Sequence, residues 1–228
     1  MQYNIVFFPL LIAFFTTAIA TVFCLPIMKR LGIVDDPKLH KHPAIIHKKP
    51  VPRGGSIPLF MGIFLTSLLF LPLTNMVATL LLASFLALII GVLDDKYDIS
   101  PYIRFAVNII CAILIVGAGV SIPFITNPFG GILHLDTINF PLAALINLED
   151  IAAIVWIIWV TNMINWSTGV DGQMPGVVAV SAIVIGILSL RFPITDQQTF
   201  IAATLSFIIA GSALGFLLFN FYPAKIFP

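Results

Sequence analysis

The residues best placed to do chemistry are three carboxylates, Asp94, Asp95 and Asp98, in the stretch Gly91–Arg104 (GVLDDKYDISPYIR). They are three of the ten acidic residues in the chain, and they lie between two apolar runs. An ionised carboxylate inside hydrocarbon costs about 2.5–3.5 kcal/mol on insertion scales. Where an apolar run meets water, most of that cost is avoided. Adjacent carboxylates repel and raise each other's pKa. A cation is therefore expected between Asp94 and Asp95, and for hard oxygen ligands the default is Mg²⁺, with Mn²⁺ the alternative. Without a metal, the same residues read as a solvated loop before a helix, with Asp98 or Ser100 as N-cap and Pro101 in the first turn.

Three other polar stretches carry chemistry-bearing residues. The loop DDPKLHKHPAIIHKKPVPRGGSIP combines Lys38, Lys41, Lys48, Lys49 and Arg53 with His40, His42, His47 and the pair Gly54-Gly55. Cations bind phosphates, and a glycine pair lets the backbone approach one. The same loop also reads as a basic segment resting on anionic lipid head groups. In NMINWSTGVDG, Asn162 and Asn165 share one face of a helix end, and Asp171 follows in a glycine-flanked turn. These groups suit a base, a ribose or a second side of a metal; they equally suit helix capping and turn formation. Trp156, Trp159 and Trp166 read as interfacial anchors. The final stretch, NFYPAKIF, has a lysine and aromatics of the kind found where a helix leaves a membrane.

The elements that must position these residues are membrane helices. Of 228 residues, 60% are hydrophobic and 9% charged, where a soluble domain carries about 25% charged residues. The expected class is all-α and polytopic, a single transmembrane domain over 1–228. A span needs about 20 apolar residues, and seven runs qualify or nearly so: Tyr3–Met28, Ser56–Leu73, Met76–Leu93, Tyr102–Ile125, Ile151–Ile164, Val177–Leu190 and Phe200–Asn220. The fifth and sixth are short, which tilt or helical flanks would remedy. No Lys or Arg precedes Lys29, so the N-terminus is a spanning helix rather than a secretory signal.

Seven of the eleven Lys and Arg fall between Lys29 and Arg53. By the positive-inside rule the basic loop 29–55 is cytoplasmic and the N-terminus outside. Alternation then puts the acidic loop 94–101, the loop 165–176 and the tail on the cytoplasmic face. The loop 126–150 is external, with Gly130-Gly131 turning a short hairpin. Lys96, Arg104 and Lys225, which did not set this assignment, agree with it. Cys24 and Cys111 read as small buried hydrophobes. The two halves show no matched broken helices, which weakens a transporter reading. The net charge of +1 gives no argument for a nucleic-acid partner, and none is expected.

The four blocks DDPKLHKHPAIIHKKPVPRGGSIP, GVLDDKYDISP, NMINWSTGVDG and LGFLLFNFYPAKIF, in that order over nearly the whole chain, resemble the polyprenyl-phosphate N-acetylhexosamine-1-phosphate transferases, glycosyltransferase family 4. HKKPVPRGG is nearer the N-acetylglucosamine branch than the muramoyl-pentapeptide branch. The resemblance implies a Mg²⁺-dependent enzyme of a bacterial-type inner membrane. Polyprenyl (undecaprenyl) phosphate attacks the β-phosphorus of a UDP-N-acetylhexosamine, giving polyprenyl-diphospho-sugar and UMP at the start of a surface-glycan pathway. It carries over Asp94, Asp95 and Asp171 as catalytic and metal residues, with the first two organising charge rather than acting as general base. It also carries over Lys48 or Lys49, Asn162, Asn165, Gly169, Asn220 and Phe227 as substrate-binding residues, and it is compatible with a homodimer. Two departures follow. Thr168 stands where the family motif has its first Asp, removing one negative charge. The family also continues past PAKIF to a further metal-binding Asp, so the chain is expected to be an N-terminal fragment, inactive alone. The alternative is a non-catalytic membrane homologue that binds lipid phosphate or a partner.

Overall fold

The computed structural model describes residues 2–37, 50–137 and 147–228. Its architecture is seven helices in chain order: α1 Gln2–Arg30, α2 Ser56–Phe70, α3 Asn75–Tyr97, α4 Pro101–Gly117, α5 Leu148–Trp166, α6 Gln173–Ser189 and α7 Gln197–Asn220. Each apolar run expected from the sequence is represented by one of them. Four helical stretches are long and apolar enough to cross a membrane: Val6–Arg30, Asn75–Tyr97, Leu148–Gly169 and Gln197–Asn220. Helices α2, α4 and α6 are shorter but equally apolar.

Several boundaries differ from the sequence reading. α1 extends past the expected run to Arg30, with Pro9 and Pro26 inside it. α3 continues past the expected loop boundary, so Asp94 and Asp95 lie in its last turn; it stops where Asp98 adopts the left-handed region at φ 50°. Charge ended the apolar run, but the backbone ladder carries no such penalty. α4 ends at Gly117 rather than near Ile125, because the chain turns at Gly119 (φ 97°). α5 and α6 lengthen through their flanks, as the short runs required. Asn147 and Asp150 start α5 as a reciprocal capping box.

Two short strand pairs qualify the all-α expectation. β1 (Val34–Asp35) pairs antiparallel with β2 (Val51–Pro52), closing the base of the basic loop. β3 (Phe124–Thr126) pairs with β4 (Ile132–His134), and Gly130 and Gly131, both at positive φ, make the turn between them.

α7 is the centre of the bundle, packed on α1, α2 and α6, with 67% of its apolar window buried against 6% for α5. The close approach is made by small residues. A Cβ on Gly211 would strike the Leu10 carbonyl, and one on Gly215 the Phe14 carbonyl. Residues four apart on α7 thus seat against carbonyls four apart on α1, the small-xxx-small packing of membrane helices. Gly62 of α2 similarly makes room for Thr17 and Ser212. Outward faces carry exposed Phe7, Phe15, Phe23, Trp156 and Trp159, as a lipid-facing surface would.

Candidate functional site

The helix ends that bear the polar stretches meet at one end of the bundle. The ends of α1 and α2 are joined there by β1–β2 and by the Arg53 N–H donating to the Ile33 carbonyl at 3.0 Å. The tail after α7 is stitched to the same place. Phe227 donates its N–H to the Pro52 carbonyl at 2.8 Å, and its own carbonyl accepts the Gly55 N–H at 2.9 Å.

Asn220 and Asp171 fold this tail. Asn220 is 2% exposed; its Oδ1 accepts the Gly172 N–H at 3.0 Å and its Nδ2 donates to the Ile226 carbonyl at 2.9 Å. The Asp171 carboxylate accepts the Ala224 N–H at 2.9 Å. Both are the residues the sequence assigns to nucleotide or metal, and among the described residues their hydrogen-bond partners are backbone groups. Gly172, at φ 74°, supplies the bend from the α5 end into α6.

Asp94 and Asp95 straddle the end of α3. Consecutive helical residues point about 100° apart, so they address different neighbours. Asp94 Oδ2 accepts from the Arg104 guanidinium at 2.7 Å. Asp95 accepts the Gly54 N–H and lies in the field of Arg53 and Asp35, which are themselves paired at 3.1 Å. Each carboxylate thus has an arginine near it, Arg104 at Asp94 and Arg53 at Asp95.

On the Asp94 side, α3, α4 and α5 enclose a cleft of about 560 Å³. Asp94, Arg104, Asn108, Asn162, Asn165 and Trp166 contribute to its lining, mixed with apolar residues. Asn162 also donates to the Ile158 carbonyl at 2.8 Å. Thr168, on the 3-10 turn 167–169, donates to the Asn165 carbonyl at 2.7 Å and so closes the helix end. A Cβ on Gly169 would meet nothing within 4 Å. Lys48 and Lys49 lie outside the described residues.

Whether a divalent ion fits can be judged from the donors. Mg²⁺ usually keeps several waters and takes one or two carboxylates together with substrate phosphates. Asp94 Oδ1 is buried with no hydrogen-bond partner among the described residues, an oxygen of the right kind. No group of three His, Cys, Asp or Glu converges among the described residues. The donor set therefore fits an ion shared with a phosphate ligand rather than an all-protein cage.

Arg104, Asn108 and Asp35 were not singled out by the sequence as site residues, whereas Arg53 was named among the phosphate-binding cations of the basic loop. Signals existed for two of them. Arg104 and Asn108 are four apart, hence on one face of α4, and Asn108 is a lone amide in an apolar run. The pairing of Arg104 with Asp94 depends on α4 folding back after Asp98, which spacing alone does not reveal.

Comparison with known proteins bears on the same residues. The chain is 31% identical over 230 residues to the Bacillus subtilis (strain 168) protein named "Probable undecaprenyl-phosphate N-acetylglucosaminyl 1-phosphate transferase", covering 96% of this chain and 57% of that protein. It is 33% identical over 229 residues to the decaprenyl-phosphate N-acetylglucosaminephosphotransferase of Mycobacterium tuberculosis (strain ATCC 25618 / H37Rv), covering 93% and 54%. The Mycolicibacterium smegmatis (strain ATCC 700084 / mc(2)155) protein of the same name is 30% identical over 227 residues, with 93% and 53% covered. The chain thus spans about half the length of these relatives. The model of glycosyl transferase family 4 matches residues 77–228, which include Asp94, Asp95, Asn165, Asp171 and Asn220, and the chain belongs to that family.

Proposed function

We propose that the protein transfers N-acetylglucosamine 1-phosphate from its UDP donor to a polyprenyl phosphate, releasing UMP. The observation that carries this reading is the state of Asp94. One oxygen is held by Arg104 and the other is buried, with no hydrogen-bond partner among the described residues, in a cleft lined by amides. An oxygen of the lipid phosphate attacks the β-phosphorus; the bond from that phosphorus to the bridging oxygen breaks, and the electron pair leaves with UMP. A phosphate is already largely ionised at neutral pH, so no residue need remove its proton. The residues act by position and charge. Arg104 faces the developing negative charge and fixes the Asp94 rotamer. Asn162 and Asn165 offer amides to the sugar or nucleotide. Asp171 and Asn220 hold the tail that walls the site. Bound Mg²⁺ would neutralise the diphosphate, with Asp94 as its first protein ligand and Asp95 and Asp171 the further carboxylates for that role.

All seven helices cross the membrane in this reading, with the N-terminus outside and the site on the cytoplasmic face of a bacterial-type inner membrane. The positive-inside charges and the gathering of helix ends support it. The test is transfer of labelled sugar phosphate from UDP-N-acetylglucosamine to polyprenyl phosphate by the complete native gene product. Activity lost in Asp94→Asn and Asp95→Asn supports the reading; an unchanged rate in both overturns it.

A further inference from the structure

The β3–β4 hairpin leaves the bundle at the end opposite the site, and among the described residues no helix packs an apolar face against it. From Phe105 to Leu135 the chain carries no Asp, Glu, Lys or Arg. Every residue of both strands is exposed. The register pairs Ile125 with Leu133 on one face and Thr126 with Ile132 on the other, with Phe124 opposite His134. Apolar side chains therefore stand on both faces, beside Thr126 and His134 on the second. At the tip, Phe129 is 97% exposed, held out by its N–H donating to Asn127 Oδ1 at 3.0 Å and by the glycine turn behind it.

The base of the hairpin is fixed at the start of α5. The Ile122 N–H donates to the Glu149 carbonyl at 3.3 Å, Ser121 Oγ donates to the Glu149 carboxylate at 3.3 Å, and the Leu135 N–H donates to the Pro123 carbonyl at 2.8 Å. Glu149 and Asp150 occupy the first turn of α5, a polar end followed directly by apolar helix. That is where a membrane surface lies if α4 and α5 cross.

We propose that the hairpin is a membrane-surface anchor whose tip side chains, Phe129 and Ile132 foremost, enter the lipid interface on the face opposite the site. The occupant follows from the symmetry of the element. A docked protein covers one face and is rimmed by polar groups. This hairpin presents apolar side chains on both faces and at its tip, and the strands themselves offer Thr126 as a hydroxyl and His134 as the titratable group, beside Asp136 at 3.5 Å. A surrounding medium satisfies that pattern. The open strand edges limit the depth, because unpaired backbone groups do not enter hydrocarbon. The backbone stays in the head-group layer and only side chains go deeper.

The proposal rests on α4 and α5 being membrane helices and not on the transferase chemistry. The test places p-benzoylphenylalanine at Phe129, and separately at Ile132, in the complete protein in phospholipid vesicles. Val155, exposed on α5, is the control position. After irradiation, mass spectrometry is expected to find phospholipid adducts at all three positions, with lipid adducts exceeding protein adducts at 129. Cross-links to protein at 129 and 132, or no adduct there, overturn the proposal while lipid adducts at Val155 keep the membrane helix. Absence of lipid adducts at Val155 as well removes the membrane-helix reading with it.

Discussion

Asp94 and Arg104 make a charge pair whose side chains are 19% and 40% exposed. A pair so open contributes about 0.2–1 kcal/mol to stability, too little to account for its position in the cleft. Its expected role is charge placement, and that separates two measurements. Arg104→Gln and Asp94→Asn should each leave thermal unfolding in detergent nearly unchanged. Each should lower transfer by about 10²–10³-fold, as loss of one preorganised charge does. The double variant should be no worse than the weaker single, because the two act as a unit; fully additive losses would contradict that. Asn220 predicts the reverse pattern of causes. Removing its amide in Asn220→Ala orphans the Gly172 N–H and the Ile226 carbonyl, at about 1–3 kcal/mol for each buried group. The expected outcome is a lowered unfolding midpoint, with limited proteolysis beginning in 221–228. An unchanged midpoint would remove Asn220 from its place as the tie between α6 and the tail.

Helices were legible wherever composition alone decides them. The runs that became α1 to α7 are apolar throughout, and Gly130-Gly131 marked the one hairpin the sequence anticipated. The pairing of Val34–Asp35 with Val51–Pro52 was not legible, since two-residue strands separated by a basic loop carry no periodic signal. Helix ends were misplaced where charge begins before hydrogen bonding stops, as at Asp94–Tyr97. The site was legible in its residue types but not in its partnerships. Asp171 and Asn220 matched a ligand pattern, and nothing in that pattern shows that they also tie the tail through backbone hydrogen bonds. Packing adds what no pattern contained, the contact of α7 with α1 through Gly211 and Gly215. Neither the Leu10 nor the Phe14 carbonyl can yield without moving α1. Gly211→Ala and Gly215→Ala are therefore expected to destabilise by about 1–3 kcal/mol each, the range for overpacking. Gly176→Ala in α6, where a Cβ meets nothing within 4 Å, should be neutral or stabilising by up to about 1 kcal/mol. Chemical unfolding in detergent micelles reads the difference; equal effects at all three would refute the close-approach argument.

Across the whole molecule the arrangement amounts to a sorting of ends. The core of α1, α2, α6 and α7 carries α3, α4 and α5 along one side, and the cleft opens within that side layer. Asp94 faces the layer and Asp95 faces the core, so one helix end serves both. This works only if α3, α5 and α7 finish, and α2, α4 and α6 begin, on one side of the membrane. Three short helices of 15 to 17 residues must then cross, each rising about 1.5 Å per residue to roughly 23–26 Å. That is slightly under the hydrocarbon thickness of about 30 Å, a mismatch that local thinning accommodates at modest cost. Single cysteines introduced by Ser100→Cys, Val170→Cys and Tyr222→Cys should therefore react with a membrane-impermeant maleimide from the cytoplasmic side. Thr137→Cys and Thr195→Cys should react from the other side. The native Cys24 and Cys111, both buried, should stay silent in intact protein. Were Ser100 and Val170 to react from opposite sides, α4 or α5 would not cross, Asp94 and Asn165 could not share an aqueous cleft, and the transfer mechanism would lose its site.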